Sequence, residues 1–211
     1  MPRPGETARR RGRRQGEPVS KEAVLAAAKT RFARDGYEKT TLRAIADDAR
    51  VDPSMVLYLF GSKEQLFRES LRLIIDPAVL VSAFAATGGD PADIGTRIVA
   101  TYLGVWEAAD SAQSMRVMLA SATSNPDAHE AFRSFMQDYV LTAVSGVLGG
   151  GEQARLRAML AASSLVGTAM LRYVMGIAPL SELPTEDVVR LLAPVVARYL
   201  TADAGELGLP E

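Results

Sequence analysis

The amino-acid sequence predicts an all-α protein with a small N-terminal helical domain and a larger helical domain behind it. Three observations carry this. Apolar residues recur at three- and four-residue spacing along most of the chain, and no stretch alternates apolar with polar as a half-buried strand would. Ser, Thr, Asp or Pro precedes many of the apolar runs, and Gly or Pro follows several of them, as helix starts and stops require. Hydrophobic residues make up 48% of the 211, ample for a core.

Residues 1–18 hold Arg3, Arg9, Arg10, Arg11, Arg13 and Arg14 with almost nothing apolar to bury, which predicts a disordered basic arm. Ser20 is placed to cap a first helix carrying Val24, Leu25, Ala28 and Phe32, and Gly36 to end it in a left-handed conformation. Thr40 or Thr41 caps a short second helix with the stripe Leu42, Ile45, Ala46 and Ala49. After a tight turn at Arg50-Val51, Asp52 caps a third helix with Pro53 at its first position, where a missing N–H costs nothing. Ser62 caps a fourth, expected to run to about Ile75 and stop at Asp76-Pro77. The stretch from Ala85 to Pro91 is the most linker-like piece of the interior. Beyond it, helices are expected from Asp90-Pro91 to about Asp110, over about 113–124 and 127–148, then 152–174 and 185–200. Asn125-Pro126, Gly149 to Gly151 and Pro184-Thr185 divide them. The domain boundaries expected are an arm at 1–18, a small domain at 19–75, a larger one at 76–205 and a tail at 206–211.

Composition excludes several chemistries. There is no Cys, so neither disulfides nor thiolates are available. A single His, His129, cannot build a protein zinc site or a nucleophilic triad, and no G-x-S-x-G occurs. No catalytic residue, metal or cofactor is therefore expected. No uncharged run reaches the roughly 18 residues of a spanning helix, and no apolar segment follows the basic N-terminus as a secretory signal requires. The expectation is a cytoplasmic protein with no membrane partner. The net charge of −1 hides a division: residues 1–72 carry 16 Lys and Arg against 10 Asp and Glu, and the rest carry 8 against 15. A basic first third joined to an acidic remainder points to a polyanionic partner.

The segment from Thr40 to Phe60, TTLRAIADDARVDPSMVLYLF, describes two short helices crossing at Ala46, a helix-turn-helix. Its second helix can lie in a major groove with Ser54, Met55, Leu57 and Tyr58 outward by spacing. The wider segment from Val19 to Phe67 resembles the N-terminal domain of the TetR/AcrR family of bacterial repressors. The resemblance rests on Phe32, Gly36, Tyr37, Thr40 and Thr41, on Ile45-Ala46, and on Phe60, Ser62, Lys63, Glu64, Leu66 and Phe67. It implies a helix-turn-helix DNA-binding domain, double-stranded operator DNA with two half-sites, a homodimer, and release by a small molecule. It also implies that Arg43 reads a base, Thr41 and Lys63 contact phosphates, and Tyr58 meets the backbone. With Thr40, Asp52, Ser54, Met55 and Leu57 these form the expected DNA-binding set. Two departures stand out: Arg50 replaces the usual Gly of the turn, and Leu57 the usual Tyr.

The larger domain is expected to bind the ligand and to dimerise. Tyr102, Trp106, Met115, Met118, Phe132, Met136, Tyr139, Met159, Met170 and Tyr173 are either plain core or the lining of a cavity for a largely apolar effector. Arg116 and Arg172 either orient an anion or snorkel. The helices at about 152–174 and 185–200 are apolar on more faces than one chain can cover, which predicts a homodimer through them. An all-α enzyme using the same cavity and a helical protein-binding adaptor are the alternative readings.

Overall fold

Helix starts follow the chemistry of single side chains. The computed structural model describes residues 21–74, 76, 78–79, 81–82 and 91–210. The basic arm, the Ser20 cap, Ile75, the stop at Pro77 and the linker over 85–90 lie outside the described residues. Helix α1 spans Lys21–Lys39, with Gly36 at φ 76°, so the regular helix ends at the expected glycine. Thr41 Oγ1 accepts from the Ala44 N–H to start α2 (Leu42–Ala49), and Asp52 Oδ1 accepts from the Ser54 N–H to start α3 (Pro53–Phe60). Ser62 Oγ accepts from the Gln65 N–H to start α4 (Lys63–Leu71), which ends before the expected Ile75 in turns at Arg72 to Ile74.

The small domain closes on an aromatic cluster. Phe32 and Phe67 meet edge to face at 4.9 Å, and Tyr37 joins Phe67 at 5.1 Å. Ile45, Ala46, Val56 and Phe60 fill the space between the helix-turn-helix and α1, and all are buried. Arg31 ties α1 to α2 through Asp48.

The larger domain begins with α5 (Pro91–Glu107), then α6 (Ala109–Ser124) after a break at Ala108, earlier than the expected Asp110. Asn125 Oδ1 accepts from the Asp127 and Ala128 N–H groups and starts α7 (Pro126–Phe135). Where one regular helix was expected, α7 passes into a π-helical segment, Met136–Leu141, before α8 (Thr142–Val147). Helix α9 (Gly151–Ala169) likewise ends in a π-helical segment, Met170–Val174. Helix α10 (Thr185–Thr201) runs through Pro194 without interruption, and a short α11 (Ala204–Leu207) follows.

Helices α5 and α10 cross closely. A Cβ on Gly95 would stand 2.2 Å from the Ala193 carbonyl oxygen, so only glycine allows this approach. The small domain is seated on the larger one through α1 against α6 and α4 against α7. The Tyr37 N–H donates to Ser121 Oγ at 3.2 Å across the first of these contacts.

Candidate nucleic-acid interface and apolar cavity

The turn of the helix-turn-helix forces Arg50 into the left-handed region at φ 56°, ψ 42°. A residue with a side chain costs about 1 kcal/mol there relative to glycine. The Val51 N–H returns to the Ala46 carbonyl at 2.9 Å and sets the angle at which α3 leaves. Asp52 then accepts from both the amide and the hydroxyl of Ser54, and these bonds hold its carboxyl below the usual carboxylate range.

Thr41 and Arg43 are exposed on the first turn of α2, and Ser54, Leu57 and Tyr58 on α3. Tyr58 is 83% exposed and Leu57 48%, large side chains with no intramolecular use for their apolar surface. Met55 is half-buried, and Asp52 serves first as a cap. Thr40 requires a correction. It is 1% exposed, and its hydroxyl donates to the Gly36 carbonyl at 2.7 Å, so it closes the end of α1 instead of facing a partner. Lys63, at the start of α4, lies 4.3 Å over the Tyr37 ring and donates from Nζ to the Glu38 carbonyl at 3.3 Å. Partial burial lowers its pKa below the ordinary lysine value. The free N–H groups at the α4 N-terminus favour an anion beside it.

A second feature lies inside the larger domain: an apolar cavity of about 60 Å³ between α5, α6, α7, the first π segment and α9. Of the ten candidates, Tyr102, Trp106, Met115, Phe132 and Met136 line it. The other five candidates do not. Met118 is plain core, and Met159, 44% exposed, faces outward from α9. Met170 packs against the core outside the cavity wall. Tyr173 stands behind Trp106, stacked on it at 5.4 Å, and its hydroxyl donates to Glu107 at 2.7 Å. Tyr139 points the other way, to α4: its hydroxyl lies 3.2 Å from Arg72 Nη1 and 3.4 Å from Glu69 Oε1.

The residues missed are aliphatic or small: Ile98 and Leu119, Val140 and Val144, Ala158 and Leu165 among them. Helical spacing marks some of them, since Ile98 precedes Tyr102 and Trp106 by four and eight, and Val140 and Val144 follow Met136 the same way. Arg172 donates to the Leu180 and Leu183 carbonyls, each at 2.7 Å, and Arg116 to the Tyr173 carbonyl at 3.2 Å. Both brace backbone. Among the described residues, no group of His, Asp and Glu is placed to hold a metal ion. No helix among them is long and apolar enough to cross a membrane.

A fold with an exposed helix-turn-helix on a helical body defines a class of DNA-binding regulators, and comparison with known proteins agrees. Residues 24–70 match the family of bacterial regulatory proteins of the tetR type, and residues 92–200 match the tetracyclin repressor-like C-terminal domain. The chain belongs to the TetR family of DNA-binding transcriptional regulators. The crystal structure of a TetR-family regulator from Streptomyces coelicolor A3 is 36% identical, with a TM-score of 0.58, over 90% of this chain and 99% of that one. Native NalD, the secondary repressor of the MexAB-OprM multidrug efflux pump in Pseudomonas aeruginosa, shares the fold at 18% identity and a TM-score of 0.58, over 86% of this chain and 96% of its own. The HTH-type transcriptional regulator RutR of Escherichia coli (strain K12) is 41% identical over 58 residues, 28% of this chain and 27% of RutR. The chain thus matches little more than a quarter of RutR's length.

Proposed function

We propose that this regulator is a ligand-responsive repressor, bound to a two-fold operator as a homodimer and released when a small molecule enters the apolar cavity. The observation that carries the reading is one continuous element with two faces. In the first π segment, Met136, Val140 and Leu141 border the cavity. On its other side Tyr139 grips Glu69 of α4 and Arg72 just beyond it, with the Arg72 guanidinium 4.2 Å over its ring, and Asp138 lies 4.0 Å from Arg68. A cavity of about 60 Å³ is far below the roughly 300–1,000 Å³ usual for ligand pockets, so an occupant has to displace its walls. Displacing this segment moves the seat of α4, and with it the helix-turn-helix.

The dimer reading rests on apolar side chains left outside. Leu191 and Val195 of α10 are 59% and 43% exposed, and Met159 of α9 and Leu171 of the π-helical segment after it are also exposed. Val188 on the same helix as Leu191 and Val195 turns inward, and Ala158, Ala161 and Ala169 pack inside the chain's own core. Paired about a two-fold axis, the outer faces of α9 and α10 would form a four-helix interface at about residues 152–174 and 185–200. Two recognition helices would then meet successive major grooves about 34 Å apart.

The test is a mobility shift with DNA from upstream of the protein's own gene, run at two salt concentrations. A steep fall of affinity with salt is expected from phosphate contacts. A thermal-shift screen should then find a compound that raises the melting temperature and abolishes the shifted band. A screen in which every stabilising compound leaves the DNA complex intact would overturn ligand release.

A further inference from the structure

Trp106 is the one tryptophan of the chain and is 1% exposed, and its indole Nε1–H has no hydrogen-bond partner. A buried donor left unmade is costly, and structures normally satisfy it with protein or water. Trp106 borders the cavity together with Tyr102, whose ring meets it edge to face at 6.4 Å. Burial pushes the Tyr102 phenol up to about 12, so its hydroxyl stays protonated; the indole N–H opposes that rise without reaching hydrogen-bond geometry.

The remaining wall is apolar, from Met115, Phe132, Met136, Leu165 and their neighbours, and no ionised side chain borders it. Neither Arg116 nor Arg172 borders it, and both donate to backbone carbonyls. An ionised molecule would lose its hydration there without compensation. A purely apolar one would leave the indole N–H as it is.

We propose that this cavity takes a compact, uncharged, aromatic or alicyclic molecule with a single carbonyl- or ether-type acceptor, which receives the hydrogen bond of Trp106 Nε1–H. The inference rests on the ligand-responsive reading only for what the pocket is used for. Entry is accommodated by Met115 and Met136, whose unbranched side chains repack readily.

Three probes of similar size separate the possibilities: acetophenone, ethylbenzene and benzoate, each titrated into the DNA-free protein by calorimetry. Acetophenone is expected to bind at least tenfold more tightly than ethylbenzene, and benzoate not to bind in the millimolar range. Trp106→Phe should abolish the preference for acetophenone over ethylbenzene. A measurement on the unsubstituted chain guards against a variant that fails to fold. With ¹⁵N-labelled tryptophan the protein gives one indole N–H resonance, which should move downfield with acetophenone more than with ethylbenzene. Equal affinities, binding of benzoate, no binding of either neutral probe, an unmoved resonance, or a preference that survives in Trp106→Phe would each overturn the proposal. None of these readouts involves DNA, so their failure is distinct from a failure of operator release.

Discussion

At the scale of single residues, caps and turns were the most legible part of the chain. Thr41, Asp52 and Ser62 each accept the amide hydrogen expected of them, because these bonds depend only on residues two or three positions away. Thr40 shows where such reasoning ends: two adjacent threonines look alike in sequence, and only the fold of α1 over Gly36 decides which one is buried. The exposed set makes the first prediction. Arg43→Ala should weaken operator binding by about 1–3 kcal/mol and relax the preference at one base pair, as loss of a bidentate base contact does. Lys63→Ala should weaken every sequence alike and reduce the salt slope by about one. Binding titrations against a set of single-base operator variants tell the two apart. An Arg43→Ala protein with unchanged affinity and preference would show that α2 does not reach the bases.

At the scale of elements, two contacts carry predictions. The α5–α10 crossing depends on Gly95, so Gly95→Ala must push the Ala193 carbonyl away and separate two packed helices. Overpacking of this kind costs about 1–3 kcal/mol, and the melting temperature should fall by several degrees. A midpoint equal to wild type would mean the crossing yields freely. The α1–α2 contact adds an ion pair to its apolar packing. The Arg31 guanidinium holds the Asp48 carboxyl below its ordinary value, so its contribution is full at neutral pH. That contribution is lost as pH falls below about 3.9 and through the depressed value. Thermal melts between pH 5 and 2 should therefore decline less steeply in Asp48→Asn than in wild type; parallel declines would rule out the pair as a contributor. Neither contact was legible beforehand. Gly95 sits inside an ordinary helical pattern, and the acidic pair at 47–48 reads as solvated unless the partner helix is known.

At the scale of the whole molecule, the all-helical fold and its two-part layout follow from periodicity, and the helix-turn-helix from joint spacing over about fifty residues. The cavity was only half legible. Aromatic and Met residues stand out by type, whereas Ala158, Val140 and Leu165 line the wall through position alone, which long-range packing sets. Assembly is the prediction at this scale. Leu191→Glu with Val195→Glu places two charges on the exposed face of α10, where burial in an interface would be strongly unfavourable. The doubly substituted chain should remain helical by circular dichroism, scatter light as a monomer at micromolar concentration, and lose operator binding. If wild type itself measures as a monomer, the proposed interface is wrong.

The two π-helical segments have a consequence in time. Met136–Leu141 borders the cavity, and Met170–Val174 contains the tyrosine that backs Trp106, so both interruptions of regular helix lie around the same indole. A π turn spaces its hydrogen bonds one residue wider than an α turn and rarely persists without a functional reason. The amides of these ten or so residues are consequently expected to exchange with deuterium sooner than those of α5 or α9 beside them, marking where the body opens first. An occupant of the cavity would slow that exchange before it changed any average position. The earliest trace of recognition in this molecule would then be a lengthened lifetime, registered well before the recognition helices shift.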